Sequence, residues 1–177
     1  RAGLATHAKK DSTGICFIGE RDFRRFLQHY IPARPGPIST LDGRVVGEHL
    51  GLAFYTIGQR RGLGIGGVRE SAEAAWYVAD KDADANTLRV VQGHNHPALY
   101  GYGLTAVDVH WVAGAPPASA LRCTAKTRYR QADQPCTLTV TDGRGRVAFD
   151  APQWGLSPGQ AAVFYEGEIV VGGGWIA

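Results

Sequence analysis

One cysteine of this sequence stands where a turn-forming stretch meets an apolar one, in DSTGICFIGE (Asp11–Glu20). Lys9 and Lys10 lie shortly before Cys16, and a predicted helix begins shortly after it. Nearby cations and a helix N-terminus lower the pKa of a thiol and favour the reactive thiolate. A free cysteine is, however, more often buried and inert. The local pattern therefore leaves two interpretations of Cys16, a packed thiol and a nucleophile.

A second group of residues able to do chemistry is the cationic stretch RCTAKTRYRQ. If the stretch is a strand, alternate side chains face opposite sides, which separates Cys123 and Tyr129 from the cations. Such cations are favourable where phosphate supplies the countercharge, and Tyr129 beside them is suited to stacking on an unpaired base. A solvated outer barrel face remains the alternative. The cations are Arg122, Lys126, Arg128 and Arg130.

The other two cysteines, Cys123 and Cys136, occupy positions where inward-facing strand residues belong. Both are therefore predicted to be core thiols.

The glycine-rich stretch GQRRGLGIGG (Gly58–Gly67) contains a GxGxxG pattern. A strand pattern follows so soon that no packing helix fits, so the stretch lacks the helix N-terminus that holds a pyrophosphate. Arg60 and Arg61 are instead candidates for contact with a nucleic-acid backbone. A plain glycine-rich hairpin at a barrel corner is the alternative. His94 and His96, in GHNHP, lack a third ligand at suitable spacing, so no metal site is predicted.

Composition excludes several classes of protein. The chain has 177 residues, 44% of them hydrophobic, a net charge of +3 and three cysteines. The absence of CxxC spacing argues against a zinc knuckle, and the odd cysteine count argues against a disulfide framework, which predicts a reducing, cytoplasmic location. No apolar run approaches the roughly 20 residues that span a bilayer, so no membrane association is expected. The start at Arg1 and the lack of methionine predict a piece of a longer protein.

The periodicity of the sequence predicts a mainly β protein with one short helix. Apolar residues from Phe23 to Ile31 recur at helical spacing, and Pro32 ends that helix. Many short strand patterns follow, including LAFYTIGQ, with hairpin turns at Asp42-Gly43, Asp142-Gly143 and Glu166-Gly167. Small barrels are the architecture that such spacing favours.

The predicted organisation is therefore two small β domains preceded by a loop and the short helix. The first is a β-roll or small barrel, and the second is a β-barrel. The predicted domains comprise residues 1–31 (cysteine loop and helix), 32–100 (central β domain) and 101–177 (C-terminal β-barrel).

Several long stretches of the chain, in order, resemble the bacterial tRNA-specific 2-thiouridylase family. They are KKDSTGICFIGERDFRRFL, GEHLGLAFYTIGQRRGLGIGG, WYVADKD, LRVVQGHNHPALY, KTRYRQADQPC and PGQAAVFYEGEIVVGGGWI. The resemblance implies that the terminal barrel is like those of translation factors.

The resemblance also implies roles for individual residues. Cys16 would carry a persulfide sulfur. Arg128, Tyr129 and Gln160 would contact tRNA. The residue pattern, apart from the resemblance, makes Arg60, Arg61, Lys126 and Arg130 possible contacts to the tRNA backbone.

The implied reaction is thiolation of C2 of the wobble uridine. ATP adenylates the C2 oxygen, the persulfide supplied by a sulfur-carrier protein attacks C2, and a second cysteine resolves it with formation of a disulfide. The family's ATP-pyrophosphatase domain and its cysteine have no counterpart in this sequence, so the chain alone is expected to be inactive and to bind no ATP. The rival interpretation is a non-catalytic RNA-binding β-barrel module.

Overall fold

The structure is a computed structural model that describes residues 29–66, 74–128 and 131–177. The chain divides into two compact units, Arg1–Ala33 and Arg34–Ala177. Cys16, Tyr129 and Arg130 lie outside the described residues, as does the predicted helix up to residue 28. Residues 29–31, the last residues of the predicted helix, form a turn and a bend. All elements named below belong to the second unit.

Four short strands form a mixed sheet in the first part of this unit. They are β1 (Gly36–Thr40), β2 (Val45–His49), β3 (Trp76–Asp82) and β4 (Thr87–Gln92). β1 and β2 form an antiparallel hairpin, as do β3 and β4, and β1 runs parallel to β4, which gives the order β2-β1-β4-β3. The predicted turn at Asp42-Gly43 is confirmed, with Gly43 at φ +89°. The core of this sheet contains Ile38, Val78 and Leu88, all fully buried.

The strand predicted for LAFYTIGQ is wrong. Leu52–Phe54 form a 3-10 helix, and a loop follows. Gly51 at φ +143° and Gly58 at φ +83° bracket the stretch, and few extended residues remain between them. The loop nevertheless bonds to β3, because Gly58 N donates to Val78 O (2.8 Å) and Val78 N donates to Gln59 O (3.0 Å).

Six further strands form a closed barrel, and every neighbouring pair in it is antiparallel. They are β5 (Tyr100–Trp111), β6 (Ala120–Lys126), β7 (Gln134–Thr141), β8 (Arg144–Trp154), β9 (Ala161–Glu166) and β10 (Ile169–Ile176). The ring order is β10-β5-β8-β7-β6-β9. The predicted mainly β class with two small β regions is confirmed.

Strand alternation fills the barrel with small and medium apolar side chains. Ala125, Cys136, Leu138 and Phe164 are fully buried in it. A β-carbon added at Gly174 would lie 2.5 Å from Val107 O on β5, so the close approach of β10 to its neighbour requires glycine there.

Candidate functional site

A groove of about 940 Å³ lies between the loop 56–59 and one side of the barrel. The loop follows the 3-10 helix, and the barrel side is built from the end of β6, the turn before β9, and strands β9 and β10. The lining residues are Thr56, Ile57, Gly58, Gln59, Lys126, Thr127, Arg128, Gly159, Gln160, Ala161, Val163, Tyr165 and Trp175. This space is called the groove below.

The groove brings together three residues that the sequence singled out, Lys126, Arg128 and Gln160. Arg60 and Arg61 are exposed and follow Gln59 directly, but they do not line the groove. Neither has an ion-pair partner within the described part of the chain.

Arg128 is held by the protein itself. Its guanidinium Nη2 donates to Ile57 O (3.2 Å) and to Gly155 O (3.0 Å), and its Cζ lies 4.8 Å from the centroid of the Trp154 ring. Burial lowers the pKa of Arg128. The side chain therefore ties the loop 56–59 to the end of β8, and it forms part of the groove wall rather than a free cation.

Trp154 is the aromatic centre of this contact. Its indole Nε1 donates to His94 O (3.0 Å), and its ring stacks on His94 at 4.8 Å between centroids. Tyr77 meets the same ring edge-on. His94, considered from sequence as one half of an HxH pair, is thus a stacking partner. No group of three or more His, Cys, Asp or Glu side chains is placed to hold a metal ion within residues 29–66, 74–128 and 131–177.

Two glycines make room for these side chains. A β-carbon at Gly58 would lie 2.6 Å from the Trp154 ring, and one at Gly155 would lie 2.6 Å from Arg128 Nη2. Both glycines also have positive φ, +83° and +63°. Glycine at each position is therefore required for both conformation and space.

The predicted row of cations along one strand is only partly present. β6 ends at Lys126, so Arg128 lies beyond the strand. Lys126 Nζ pairs with Asp133 at 3.0 Å and lies 5.1 Å from the Tyr165 ring centroid, while Arg122 forms an ion pair with Asp150. The acidic partners come from other segments of the chain, so the local pattern of cations did not reveal them.

Gln160 closes one side of the groove. Its backbone is fixed, since Ile176 N donates to Gln160 O (2.8 Å) and Gln160 N donates to Ser157 O (3.2 Å). Its side-chain Oε1 is buried and has no hydrogen-bond partner among the described residues. A buried acceptor without a partner is unfavourable, so a rotation of the Gln160 side chain that brings this oxygen to a donor in the groove would be favoured.

Sequence reasoning missed the aromatic residues of the site. Trp175 on β10 lines the groove with 53% of its surface exposed, and Tyr165 on β9 lies beside Lys126. In sequence, Trp175 belongs to an apolar strand pattern, which does not distinguish an outward ring from a core ring.

The prediction of two core thiols is confirmed. Cys123 and Cys136 are buried and directly opposite each other on β6 and β7, with 3.7 Å between the sulfurs. The hydrogen bond with Cys123 and burial together raise the pKa of Cys136, so its thiol stays protonated.

Two family models match the chain. A tRNA methyl transferase PRC-barrel domain model matches residues 24–92, and an aminomethyltransferase β-barrel domain model matches residues 102–176. Within the described residues, no helix has the length and apolar character needed to cross a membrane.

Curated relatives match nearly all of the chain. The tRNA-specific 2-thiouridylase MnmA of Alkalilimnicola ehrlichii is 60% identical over 177 residues, which is 99% of this chain and 48% of the relative. The proteins of the same name from Cupriavidus metallidurans and Yersinia pestis are 57% and 59% identical, over 98% of this chain and 49% and 47% of their own lengths. The chain thus spans about half the length of the curated relatives it matches.

Proposed function

The chain belongs to the family of tRNA-specific 2-thiouridylases, and we propose that it supplies such an enzyme with a tRNA-binding groove and one catalytic thiol. The observation that carries the proposal is that Lys126, Arg128 and Gln160 line one groove. These residues come from two segments separated by more than 30 positions, and the resemblance implies tRNA contact for Arg128 and Gln160.

The groove has the chemistry that an RNA ligand needs. Lys126 and Arg128 supply positive charge, although Lys126 also pairs with Asp133 at 3.0 Å and Arg128 is bonded to the wall; no Asp or Glu is among the described lining residues. Arg60 and Arg61 extend the positive charge beyond the loop 56–59 and are suited to contact with the phosphate backbone. Tyr129 and Arg130 follow Arg128 directly in the sequence, and we propose that they also contact the RNA.

Cys16 is the proposed sulfur carrier. It receives the terminal persulfide sulfur from a sulfur-carrier protein and presents it to C2 of the wobble uridine. That sulfur attacks C2, and the adenylated C2 oxygen leaves as AMP. A second cysteine then attacks Sγ of Cys16, which breaks the S–S bond: the outer sulfur stays on C2 as 2-thiouridine, and a disulfide joins the two cysteines. A persulfide must be reached first by a donor and then by an unstacked base, which agrees with its place in a turn-forming stretch.

We propose that the described residues do not bind ATP. Gly58, Gly62 and Gly64 lie in a loop, and β3 begins at Trp76, so the sequence in between is short for the helix whose N-terminus would hold a pyrophosphate. The activation of uridine by ATP is therefore assigned to none of the described residues. We propose that the 177-residue chain binds tRNA by itself but forms no 2-thiouridine.

tRNA binding by the full-length enzyme tests the groove. Lys126→Ala is expected to weaken tRNA binding about fivefold, because one phosphate contact is lost. The slope of the logarithm of the dissociation constant against the logarithm of salt concentration should fall by about one. Arg144→Ala is the matched control, since Arg144 is an exposed cation on β8 outside the groove. Equal dissociation constants for the two variants, measured by filter binding across a salt series, would refute the groove as the tRNA site.

Cys16→Ser separates the enzyme from the rival, a non-catalytic RNA-binding module. This variant is expected to abolish 2-thiouridine formation and to leave the tRNA dissociation constant within twofold, because only the sulfur carrier is removed. Thiolation that survives in Cys16→Ser, measured by mass spectrometry of digested tRNA, would favour the module.

A further inference from the structure

Trp175 is the most exposed of the four tryptophans, at 53% of its surface. The other three are packed: Trp76 against the sheet core, Trp111 against Phe164, and Trp154 against His94. A tryptophan buries about 150–250 Å² when it packs, so an indole left in solvent gives up a large stabilisation. The position of Trp175 therefore calls for a role outside the core.

The surroundings of Trp175 leave its ring uncovered. Its partners across the strands are Ala161 on β9 and Val107 on β5, and Gly173 and Gly174 precede it. None of these side chains is long enough to lie across an indole. The ring lines the groove, and the backbone bond from Ile176 N to Gln160 O joins its strand to the Gln160 segment.

Three chemical features meet in the same groove. Trp175 offers an aromatic surface, Gln160 Oε1 offers a buried acceptor without a described partner, and Lys126 offers positive charge. The matching ligand has a flat aromatic face, N–H or O–H donors at the edge of that face, and a nearby anion. An unpaired nucleotide has all three. A base inside a duplex does not, because its faces are covered by stacking.

We propose that Trp175 is a stacking platform for an unpaired base of the bound tRNA, with the Gln160 side chain accepting a hydrogen bond from that nucleotide. This inference rests on the proposed function and deepens it, because it states that the groove takes a single-stranded part of the RNA. Phosphate contact by Lys126 positions the strand, and stacking on Trp175 selects unpaired over paired nucleotides.

Binding of substrate tRNA to the full-length enzyme tests this role. Trp175→Ala is expected to weaken binding about tenfold, since stacking of one base is lost, while Trp175→Phe retains most of the affinity. Tyr102→Ala is the matched control, because Tyr102 is an aromatic residue on β5 that is 65% exposed and lies outside the groove. It is expected to leave affinity unchanged. Circular dichroism establishes that each variant is folded.

Tryptophan fluorescence gives a second, direct readout. A single-stranded RNA heptamer should quench the emission that Trp175 contributes, obtained as the difference between the parent and Trp175→Phe, and a blunt 12-base-pair RNA duplex should not. Equal quenching by the two probes would overturn the inference.

The failure of this inference is distinguishable from failure of the proposed function. If Lys126→Ala weakens tRNA binding and Trp175→Ala does not, the stacking role is wrong and the tRNA groove stands. If neither variant weakens binding, the groove is not the tRNA site and both proposals fail. If Trp175→Ala no longer binds the sulfur-carrier protein but keeps its tRNA affinity, the exposed ring is a protein contact and the stacking role is again wrong.

Discussion

At the scale of single residues, Arg128 has two roles to reconcile, a proposed contact with tRNA and contacts that hold the groove together. Resemblance marks it for tRNA, while its guanidinium is already bonded to Ile57 O and Gly155 O and stacked on Trp154. The guanidinium is planar, so it stacks on Trp154 while its Nη2 donates to both carbonyls; an ammonium group cannot stack in this way. If Arg128 serves tRNA binding as proposed, these contacts mean that it does so at least in part by fixing the shape of the groove.

Comparison of Arg128→Lys with Arg128→Ala tests this role. Arg128→Lys keeps the charge but loses the planar group that stacks on Trp154 and donates through Nη2 to the two carbonyls, so both variants are expected to lose about 2 kcal/mol of unfolding free energy. Both are also expected to bind tRNA more weakly. Denaturant titration and tRNA binding measure the two effects. A lysine variant with parental stability and affinity would show that only the charge of Arg128 matters.

The residues of the groove could be predicted from sequence only in part. Lys126, Arg128 and Gln160 stand in recognisable stretches, and the fold places them together. Trp154 and Trp175 gave no local signal, because their partners lie far away in sequence, as the Trp154–His94 pair illustrates. Periodicity and composition describe neighbouring residues, so they do not predict which distant segments of the chain come into contact.

At the scale of elements, the facing thiols on β6 and β7 form part of the barrel wall. Cys123 is 7% exposed and Cys136 is fully buried, and the pKa of Cys136 is raised. Alkylation requires an accessible thiolate, so neither condition for reaction is met at Cys136.

Alkylation of the Cys16→Ser variant is the corresponding test. Iodoacetamide at pH 8 is expected to leave Cys136 unmodified in the native protein and to modify it after unfolding in guanidinium chloride. Peptide mass spectrometry locates the label. Native modification of Cys136 as fast as that of a free cysteine peptide would contradict the barrel core described here.

Strand prediction succeeded where a hairpin turn and alternation agreed, as at β7 and β8, which meet at Asp142-Gly143. It failed at LAFYTIGQ, where aromatic and β-branched residues have strand propensity but glycines at both ends fix a different path. Strand propensity reflects packing on a pleated surface, and this segment packs without extending. Gly51 and Gly58 are the features of the sequence that argued against a strand here.

At the scale of the whole molecule, the described sheet and barrel meet where Gly58 of the loop faces Trp154 of β8. Two further contacts reinforce it. Arg128, which follows β6, donates to Ile57 O of the loop, and His94, which follows β4, stacks on the Trp154 ring. The width of the groove depends on this contact, because the loop 56–59 is one of its walls.

Gly58→Ala is expected to destabilise the protein by about 2 kcal/mol or more, since it adds both an unfavourable positive φ and a clash with the Trp154 ring. Gly43→Ala is the matched control: its φ is +89°, and its added β-carbon meets nothing within 4 Å. The difference between the two variants in denaturant titration isolates the clash. Equal losses would show that the Gly58–Trp154 contact is loose.

The two hydrogen bonds between the loop and Val78 have a consequence for self-association. β3 is an outer strand of the sheet and would otherwise present unpaired N–H and C=O groups along its free side. Such an edge can recruit a strand from another molecule, and proteins commonly cover it with a loop. Here the loop 56–59, which forms one wall of the groove, covers the edge of β3 at Val78. Any change that frees the loop to widen the groove would also uncover this edge of β3, so the shape of the groove and resistance to aggregation depend on the same four residues, 56–59.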